Sequence, residues 1–177
     1  MRVLAAAVVL LTVALPAGAA EVFGGYSVLR VDGSNAGGGA LGLRFPFSGG
    51  VALGIEATYH SGELGGVDVR EMALLAGPAL RLGGSGRLSA FVQARGGVTR
   101  ERQQVEVFGV IIGPDGVCDG NCPSKTQFAA EAGAGLDVRL GARWSLRLVQ
   151  ADYRLTRAEG EDDRRLRFAA GLVYRRD

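Results

Sequence analysis

Strict alternation of apolar residues with polar or small ones runs along several long segments of this chain, and it limits the available folds more than any other feature. The longest segment is 127–140, where every second residue is apolar: Phe128, Ala130, Ala132, Ala134, Leu136, Val138 and Leu140. The intervening positions are small or polar and include Glu131 and Asp137. Successive side chains of a β-strand point to opposite faces, so this period of two predicts a strand with one apolar face.

The same period recurs along the chain. It predicts eight strands, at 22–31, 39–46, 51–60, 69–82, 88–99, 127–140, 144–155 and 165–175. Two residues interrupt the pattern. Phe91 is a large apolar residue on a polar face, and Arg147 falls on an apolar face. Either a β-bulge or a position near a membrane interface would account for Arg147.

Composition supports an all-β chain. Glycine contributes 29 of the 177 residues, and a glycine inside a helix costs about 1 kcal/mol relative to alanine. The formal net charge is only +2, which gives no electrostatic basis for binding nucleic acid.

The connections between the predicted strands alternate in length. Three are short, at 47–50, 83–86 and 140–143, and four are longer, at 32–38, 61–67, 100–125 and 156–164. In an up-and-down sheet the short connections share one end and the long ones the other, which is typical of outer-membrane barrels. The predicted fold is an all-β, eight-stranded antiparallel up-and-down transmembrane β-barrel.

In such a barrel the apolar faces point to lipid and the polar faces point inward. Eight strands leave room only for interlocking side chains, so we expect a filled interior. Charged residues of both signs fall on the polar faces and predict an ion-paired network: Glu56, Glu71, Arg81, Arg95, Glu131, Asp137, Arg139, Asp152, Arg154 and Arg167.

Aromatic residues fall near the ends of the predicted strands. One group lies beside the short connections or the chain ends: Phe23, Phe45, Phe47, Trp144 and Tyr174. A second group lies beside the long connections: Tyr59, Phe128, Tyr153 and Phe168. Two aromatic belts at the two membrane interfaces are typical of transmembrane barrels.

Residues 1–20 predict a secretory signal peptide. Arg2 precedes an apolar run from Val3 to Leu15, and Ala17-Gly18-Ala19 fits a cleavage site. Cleavage after Ala19 or Ala20 would leave a single barrel domain, 21–177. An N-terminal membrane anchor is the alternative, although an anchor needs about 20 apolar residues.

Two cysteines, Cys118 and Cys122, lie in the turn-rich stretch GPDGVCDGNCPSK. Export places them in an oxidising compartment, where we expect a disulfide that closes a small loop. The alternatives are two free thiols or a metal site, and the stretch lacks the residue spacing of a calcium loop.

Several stretches resemble the small outer-membrane β-barrels of the OmpA/OmpX-like kind: FGGYSVLR at 23–30, LGIEATYH at 53–60, GLDVRL, WSLRLVQADYRLTR and RLRFAAGLVYR. The resemblance covers about 21–175 and implies an eight-stranded barrel in the outer membrane of a diderm bacterium. Members of this family usually end on an aromatic residue, whereas three residues follow Tyr174 here.

We therefore expect a non-enzymatic, monomeric outer-membrane protein with a structural or surface-interaction role. Outer-membrane lipid would surround it, an extracellular partner would bind through 100–125, and no cofactor or metal is expected. A soluble periplasmic or secreted barrel that carries a small apolar ligand is one alternative. A barrel-embedded lipid-modifying enzyme is another, and it would use His60, the only histidine, with its sequence neighbours Ser61, Glu63 or Asp68.

Overall fold

The computed structural model describes residues 20–31, 33–64, 67–83, 86–107, 110–113, 116–117, 124–158 and 161–176. All regular structure in these ranges is β-strand: β1 (Ala20–Val31), β2 (Ser34–Pro46), β3 (Val51–Leu64), β4 (Val67–Leu82), β5 (Leu88–Val107), β6 (Val110–Gly113), β7 (Gly116–Val117), β8 (Lys125–Arg139), β9 (Trp144–Ala158) and β10 (Glu161–Arg176). These ranges contain no helix long and apolar enough to cross a membrane. Apart from Ala20, the predicted signal peptide lies outside the described residues.

Eight of these strands form a closed antiparallel barrel. β1 to β5 pair in sequence order, β5 pairs with β8, and β8, β9 and β10 continue the order. β1 then pairs with β10 and closes the ring, with Ala20 opposite Arg176 and Arg30 opposite Leu166. Closure leaves no open sheet edge, which is the condition for a sheet to cross a bilayer. The predicted fold class is confirmed.

The two ends of the barrel differ. The turn end carries the short connections and both described chain termini, and the loop end carries the other connections. Pairing continues close to the loop end of three strand pairs, up to Val31–Ser34, Leu64–Val67 and Ala158–Glu161. The loops predicted at 32–38, 61–67 and 156–164 are therefore mostly strand. Backbone pairing does not require alternating side chains. The strands therefore continue beyond the residues that show the apolar alternation.

The fourth connection at the loop end is the longest. β5 extends to Val107, and its last residues, Val105–Val107, pair with β6 as a hairpin. β6 pairs in turn with β7. β8 begins only at Lys125, opposite Glu101. The backbone of β5 thus continues beyond the barrel on its own hairpin.

Large apolar side chains cover the outside of the barrel. Leu74, Val98 and Phe128 are 54%, 47% and 64% exposed, and every barrel strand except β2 carries at least one exposed large apolar residue. This apolar surface faces lipid, as predicted. One aromatic residue assigned to the belts was assigned wrongly: Phe23 is only 4% exposed and lies inside. Its position in β1 has the inward parity of Ser27 and Leu29, which are also buried.

A β-bulge in β9 explains why Arg147 points inward although the alternation placed it on an apolar face. The register between β8 and β9 shifts between Leu136 and Asp137, whose partners are Val149 and Arg147. Leu148 is the extra residue, and both Leu148 and Val149 face outward, 49% and 40% exposed. A bulge changes which face a side chain points to, so Arg147 enters the interior while its neighbours stay in contact with lipid.

Inward-facing glycines allow neighbouring strands to approach closely. A Cβ atom placed on Gly97 of β5 would lie 2.1 Å from the carbonyl oxygen of Leu74 and 3.0 Å from the Cα of Leu75. The adjacent Gly96 points outward, and a Cβ there would meet nothing nearer than the Phe128 ring at 3.8 Å. Gly96 and Gly97 are therefore adjacent glycines of one strand, and they differ in that one faces outward and the other faces inward.

We expect Gly97→Ala to destabilise the barrel by about 1–3 kcal/mol, because the added methyl group forces β4 away from β5. Gly96→Ala should be neutral or slightly stabilising, because it only restricts the unfolded chain. Urea unfolding of both variants and the wild type, folded in lipid vesicles, measures the difference. Equal unfolding midpoints for the two variants would contradict this account of the glycine.

Candidate functional site

The barrel interior is a network of buried charges. Among the described residues, seven carboxylates are buried: Glu21, Glu56, Glu71, Glu101, Glu131, Asp137 and Asp152. Five arginines are buried with them: Arg95, Arg147, Arg154, Arg165 and Arg167. Three more arginines, Arg44, Arg81 and Arg175, surround Glu21 at the turn end. Buried charges are tolerated only when they are paired and hydrogen-bonded.

Three carboxylates and three guanidinium groups form the centre of this network. Arg95 contacts Glu56 at 2.7 Å and also pairs with Glu131. Arg167 pairs with both Glu56 and Asp152 at 2.5 Å. Arg154 Nε donates to Glu131 at 2.9 Å. The six side chains come from β3, β5, β8, β9 and β10, so the centre ties five of the eight barrel strands together across the lumen.

A second layer lies toward the loop end. Glu71 of β4 accepts hydrogen bonds from Arg154 and Arg165. Arg165 also contacts Glu101 of β5 at 2.6 Å and Asp163 at 2.5 Å. This layer connects β4 and β5 to β9 and β10. It shares Arg154 with the centre, so the two layers are one continuous network.

A third layer lies toward the turn end. Arg147 Nε donates to Asp137 at 2.9 Å, and Arg147 Nη1 donates to Gln150 at 2.6 Å. The Arg147 guanidinium also lies 4.3 Å from the ring centres of both Phe23 and Phe91. A cation between two aromatic faces is stabilised by both ring quadrupoles. This contact explains why Phe91 and Phe23 point inward.

Eight of the ten predicted network residues are buried in this interior: Glu56, Glu71, Arg95, Glu131, Asp137, Asp152, Arg154 and Arg167. Arg81 lies partly exposed at the turn end, where it pairs with Glu21. Arg139 is exposed, so its prediction was wrong. It is the last residue of β8. At this end of the barrel, a side chain on the inward face of the strand reaches solvent and not the lumen.

Sequence reasoning missed several members of the network. Glu101 was missed because its strand was expected to end at 99, and extending the alternation by two residues would have found it. Arg165 is the first residue of the strand predicted at 165–175 and has the inward parity of Arg167, so the alternation already placed it inside. Arg147 was missed because only the bulge gives it that parity. Glu21 was missed because strand β1 begins one residue before it.

His60 meets different partners from those predicted. It is fully buried, whereas Ser61 and Glu63 point outward and are exposed, so the predicted grouping does not form. Its Nε2 lies 2.9 Å from Ser27 Oγ, and its Nδ1 lies 3.9 Å from Glu71. Ser27 Oγ donates to the Phe168 carbonyl at 3.3 Å and is itself fully buried. The residue types match a nucleophile, a base and an orienting acid, but the Ser27 side chain has no exposed surface.

The 100–125 segment contains parts that the structure describes and parts that it does not. Within the apolar stretch from Val107 to Gly113, the backbone of Val107 and of Val110–Gly113 is strand. Cys118 and Cys122 lie outside the described residues, so the disulfide stays a prediction. In the ranges that the structure covers, no cluster of His, Cys, Asp or Glu could hold a metal ion.

These features define a class of protein. A closed eight-stranded antiparallel barrel with an apolar exterior and a charged, filled interior is a small transmembrane β-barrel of the outer-membrane type. An apolar exterior and a charged lumen are the reverse of what a soluble carrier of apolar ligands needs. The outer membrane is the location that fits this fold, as predicted.

Comparison with solved structures agrees with this class. Ail, the attachment invasion locus protein of Yersinia pestis, is 18% identical with a TM-score of 0.60, over 90% of this chain and 99% of that chain. Its complex with the heparin analogue sucrose octasulfate matches at 19% identity, with a TM-score of 0.55 and the same coverage, 90% and 99%. Neisserial surface protein A is 12% identical with a TM-score of 0.56, over 88% of this chain and 95% of that chain.

A further similar structure is that of the outer membrane enzyme PagL. It is 19% identical with a TM-score of 0.50, over 87% of this chain and 98% of that chain. No protein-family model matches the sequence, and no curated protein matches it either. At these identities the similarity establishes the fold, and the resemblance to OmpA/OmpX-like barrels is a resemblance of fold.

We expect Arg167→Gln to destabilise the barrel by about 3–5 kcal/mol, because it leaves three buried carboxylates with two guanidinium groups. Arg139→Gln removes the same charge from an exposed position and should change the free energy of unfolding by less than about 0.5 kcal/mol. Urea unfolding in lipid vesicles measures both.

A double variant isolates the pairing itself. Arg167→Gln with Glu56→Gln should lose less stability than the sum of the two single variants, because the second change removes a charge that the first left unpaired. A purely additive loss, or equal stability of Arg167→Gln and Arg139→Gln, would contradict the central role of these ion pairs.

Proposed function

We propose that this protein is a non-enzymatic, monomeric integral protein of the outer membrane that displays the segment 100–125 at the cell surface for contact with an extracellular partner. The observation that carries the proposal is the interior network. It joins strands on opposite sides of the lumen with ion pairs, for example β3 to β10 through Glu56 and Arg167 at 2.5 Å. Such an interior makes the barrel a rigid support.

The charged lumen disfavours transport as the main role. Arg154 and Arg167 are the largest fully buried side chains in the described part of the chain, and both lie in the centre of the barrel. Their guanidinium groups are held by carboxylates from several strands. Opening a path for solute would require breaking several buried ion pairs together, and breaking even one costs several kcal/mol.

The extension of β5 favours a role for the loop end. Its backbone continues through Val107 and turns back as β6, so this segment stands beyond the barrel on a rigid base. Binding residues are often carried by such segments on rigid scaffolds. A disulfide between Cys118 and Cys122 would restrict the segment further. The complex of Ail with a heparin analogue supports an extracellular partner as the kind of ligand to seek.

A lipid-modifying enzyme is the second candidate. The similarity in fold to the outer membrane enzyme PagL and the contact of His60 with Ser27 and Glu71 favour it. Two features oppose it. Ser27 and His60 are both fully buried, and Glu71 is already occupied by Arg154 and Arg165. We therefore assign the three residues to the structural network.

Labelling of intact cells tests the proposed surface display. We expect a membrane-impermeant maleimide polymer to label Cys118 and Cys122 only after a reductant opens the disulfide. A matched control replaces both cysteines with serine and introduces Ser48→Cys in the 47–50 turn. This control should be labelled only after cell lysis, because the turn end faces the periplasm.

Each labelling result has a separate meaning. Labelling of Ser48→Cys on intact cells, with none at Cys118 or Cys122, would show the opposite orientation and overturn the proposal. Labelling of the wild type without reductant would overturn only the disulfide. Gel migration before and after boiling confirms that each variant forms a closed barrel.

A lipid-release assay distinguishes the enzyme candidate. We expect the wild-type protein in detergent micelles to release no fatty acid from phospholipid or lipid A above the buffer background. His60→Ala and Ser27→Ala, checked for folding by heat-dependent gel migration, should give the same result. Release by the wild type that both folded variants lose would replace our proposal with the enzyme.

A further inference from the structure

The lumen contains a cavity at the turn end, on the side formed by β2, β3 and β4. Its volume is about 320 Å³, including the part that opens to solvent. Ala52 and Ala79 lie opposite each other on β3 and β4, and both line the cavity together with Glu21, Arg44 and Arg81. Side chains as small as alanine leave unfilled the space that the two arginines border.

The charges around this cavity do not balance. Arg44, Arg81 and Arg175 surround Glu21, so three guanidinium groups meet one carboxylate. Among the described residues, Glu21 is the only carboxylate that lines the cavity. Charges that are partly buried need a partner of the opposite sign. The excess of positive charge therefore favours an anionic ligand.

The two carboxylate oxygens of Glu21 differ in their hydrogen bonds. Oε1 accepts from Arg81 and, at 2.9 Å, from Arg175 Nε. Oε2 is buried and accepts no hydrogen bond within the described part of the chain. Arg44 Nη1 lies 3.7 Å from Oε2, which is too far for a hydrogen bond. A buried acceptor without a donor is costly, so a ligand that donates to Oε2 is favoured.

Arg44 is held in place although its donors are not used. Its guanidinium lies 4.4 Å from the centre of the Phe91 ring, and this cation–π contact orients it. The Arg44 side chain is only 12% exposed. It donates no hydrogen bond to any residue that the structure describes, whereas a guanidinium has five N–H donors. The wall of the cavity thus presents an oriented donor group close to a buried acceptor.

We propose that this cavity binds a phosphate group that retains one proton. The ionised oxygens of the phosphate accept hydrogen bonds from Arg44 and Arg81, and its P–OH group donates to Glu21 Oε2. Arginine is suited to this ligand because its planar guanidinium donates two parallel hydrogen bonds to phosphate oxygens.

Glu21 makes the site selective. Sulfate has a similar shape but carries no proton at neutral pH, so it would place a negative oxygen against Oε2. That contact leaves both oxygens without a donor and adds repulsion between like charges. The same carboxylate that lowers the positive charge of the cavity therefore distinguishes phosphate from sulfate.

The position of the cavity restricts the source of the phosphate. Pro46 and Gly50 line its outer part and are exposed at the turn end, which faces the periplasm in the orientation proposed above. The charged lumen offers no apolar surface to acyl chains. The ligand is therefore inorganic phosphate or a small phosphate monoester in solution.

Isothermal titration calorimetry tests the site. The protein is purified from the outer membrane in maltoside micelles, at an ionic strength of about 0.1 M that screens distant charges. It is titrated with inorganic phosphate, sulfate or glycerol phosphate. The test variants are Arg44→Gln and Glu21→Gln. The matched control is Arg143→Gln, which changes an exposed arginine at the same end, next to β9 on the opposite side of the ring from β3.

We expect Arg44→Gln to bind phosphate at least about tenfold more weakly than the wild type, the effect of losing a hydrogen bond between charged groups. Arg143→Gln should stay within about twofold, because Arg143 does not line the cavity. Heat-dependent gel migration verifies that each variant folds. If Arg44→Gln does not fold, Arg81→Gln takes its place with the same expectation, since the Arg81 side chain is 29% exposed.

Selectivity gives a readout that a folding defect would not produce. The wild type should bind phosphate at least about tenfold more tightly than sulfate. Glu21→Gln should bind sulfate more tightly than the wild type does and reduce the preference to within about twofold, because an amide can donate to either anion. Tighter binding of glycerol phosphate than of inorganic phosphate would identify a monoester as the ligand, and the reverse would identify the free ion.

Four outcomes would overturn the proposal. The first is no binding of phosphate by the wild type, and the second is unchanged binding by the folded Arg44→Gln variant. The third is an equal loss in Arg143→Gln, which would indicate only general charge attraction. The fourth is equal affinity of the wild type for phosphate and sulfate. None of these outcomes affects the proposed surface role of 100–125, which the labelling experiment tests separately.

Discussion

The pairing of buried charges inside a closed barrel is the interaction on which the rest of this structure depends. A bilayer offers no hydrogen-bond partners to the backbone, so the sheet must close. Eight strands close around a lumen that side chains fill. Here the filling side chains are arginines and carboxylates, with Arg95, Arg154 and Arg167 at the centre. Their pairing with carboxylates joins strands that are not neighbours in the sheet.

This arrangement has consequences for both surfaces of the barrel. Because charge is compensated within the lumen, the outside can be apolar along its full circumference. Inward glycines such as Gly97 let neighbouring strands approach closely, since a Cβ atom there would contact the neighbouring backbone. The aromatic pair Phe23 and Phe91 holds Arg147 between two rings. These contacts fill the lumen at the turn end of the barrel.

The loop end contains the two features that the barrel itself does not require. β5 extends past β8 and forms a hairpin beyond the barrel. Arginines face outward on β4 and β5 just above the apolar surface, and Arg70 lies opposite Arg102. Neither feature contributes to closing the sheet.

The sequence alone determined the strand number, the up-and-down order, the lipid-facing surface and most of the charged interior, because a period of two assigns each side chain to a face wherever the strand is regular. Tertiary structure decided the exceptions. The bulge at Leu148 turned Arg147 inward, and pairing of β5 beyond its predicted end at 99 brought Glu101 into the network. Tertiary structure also determined which side chains contact each other. His60 contacts Ser27 and Glu71 from other strands and not its sequence neighbours. Alternation reports the face of a residue, and only barrel closure and register bring particular residues together across the lumen.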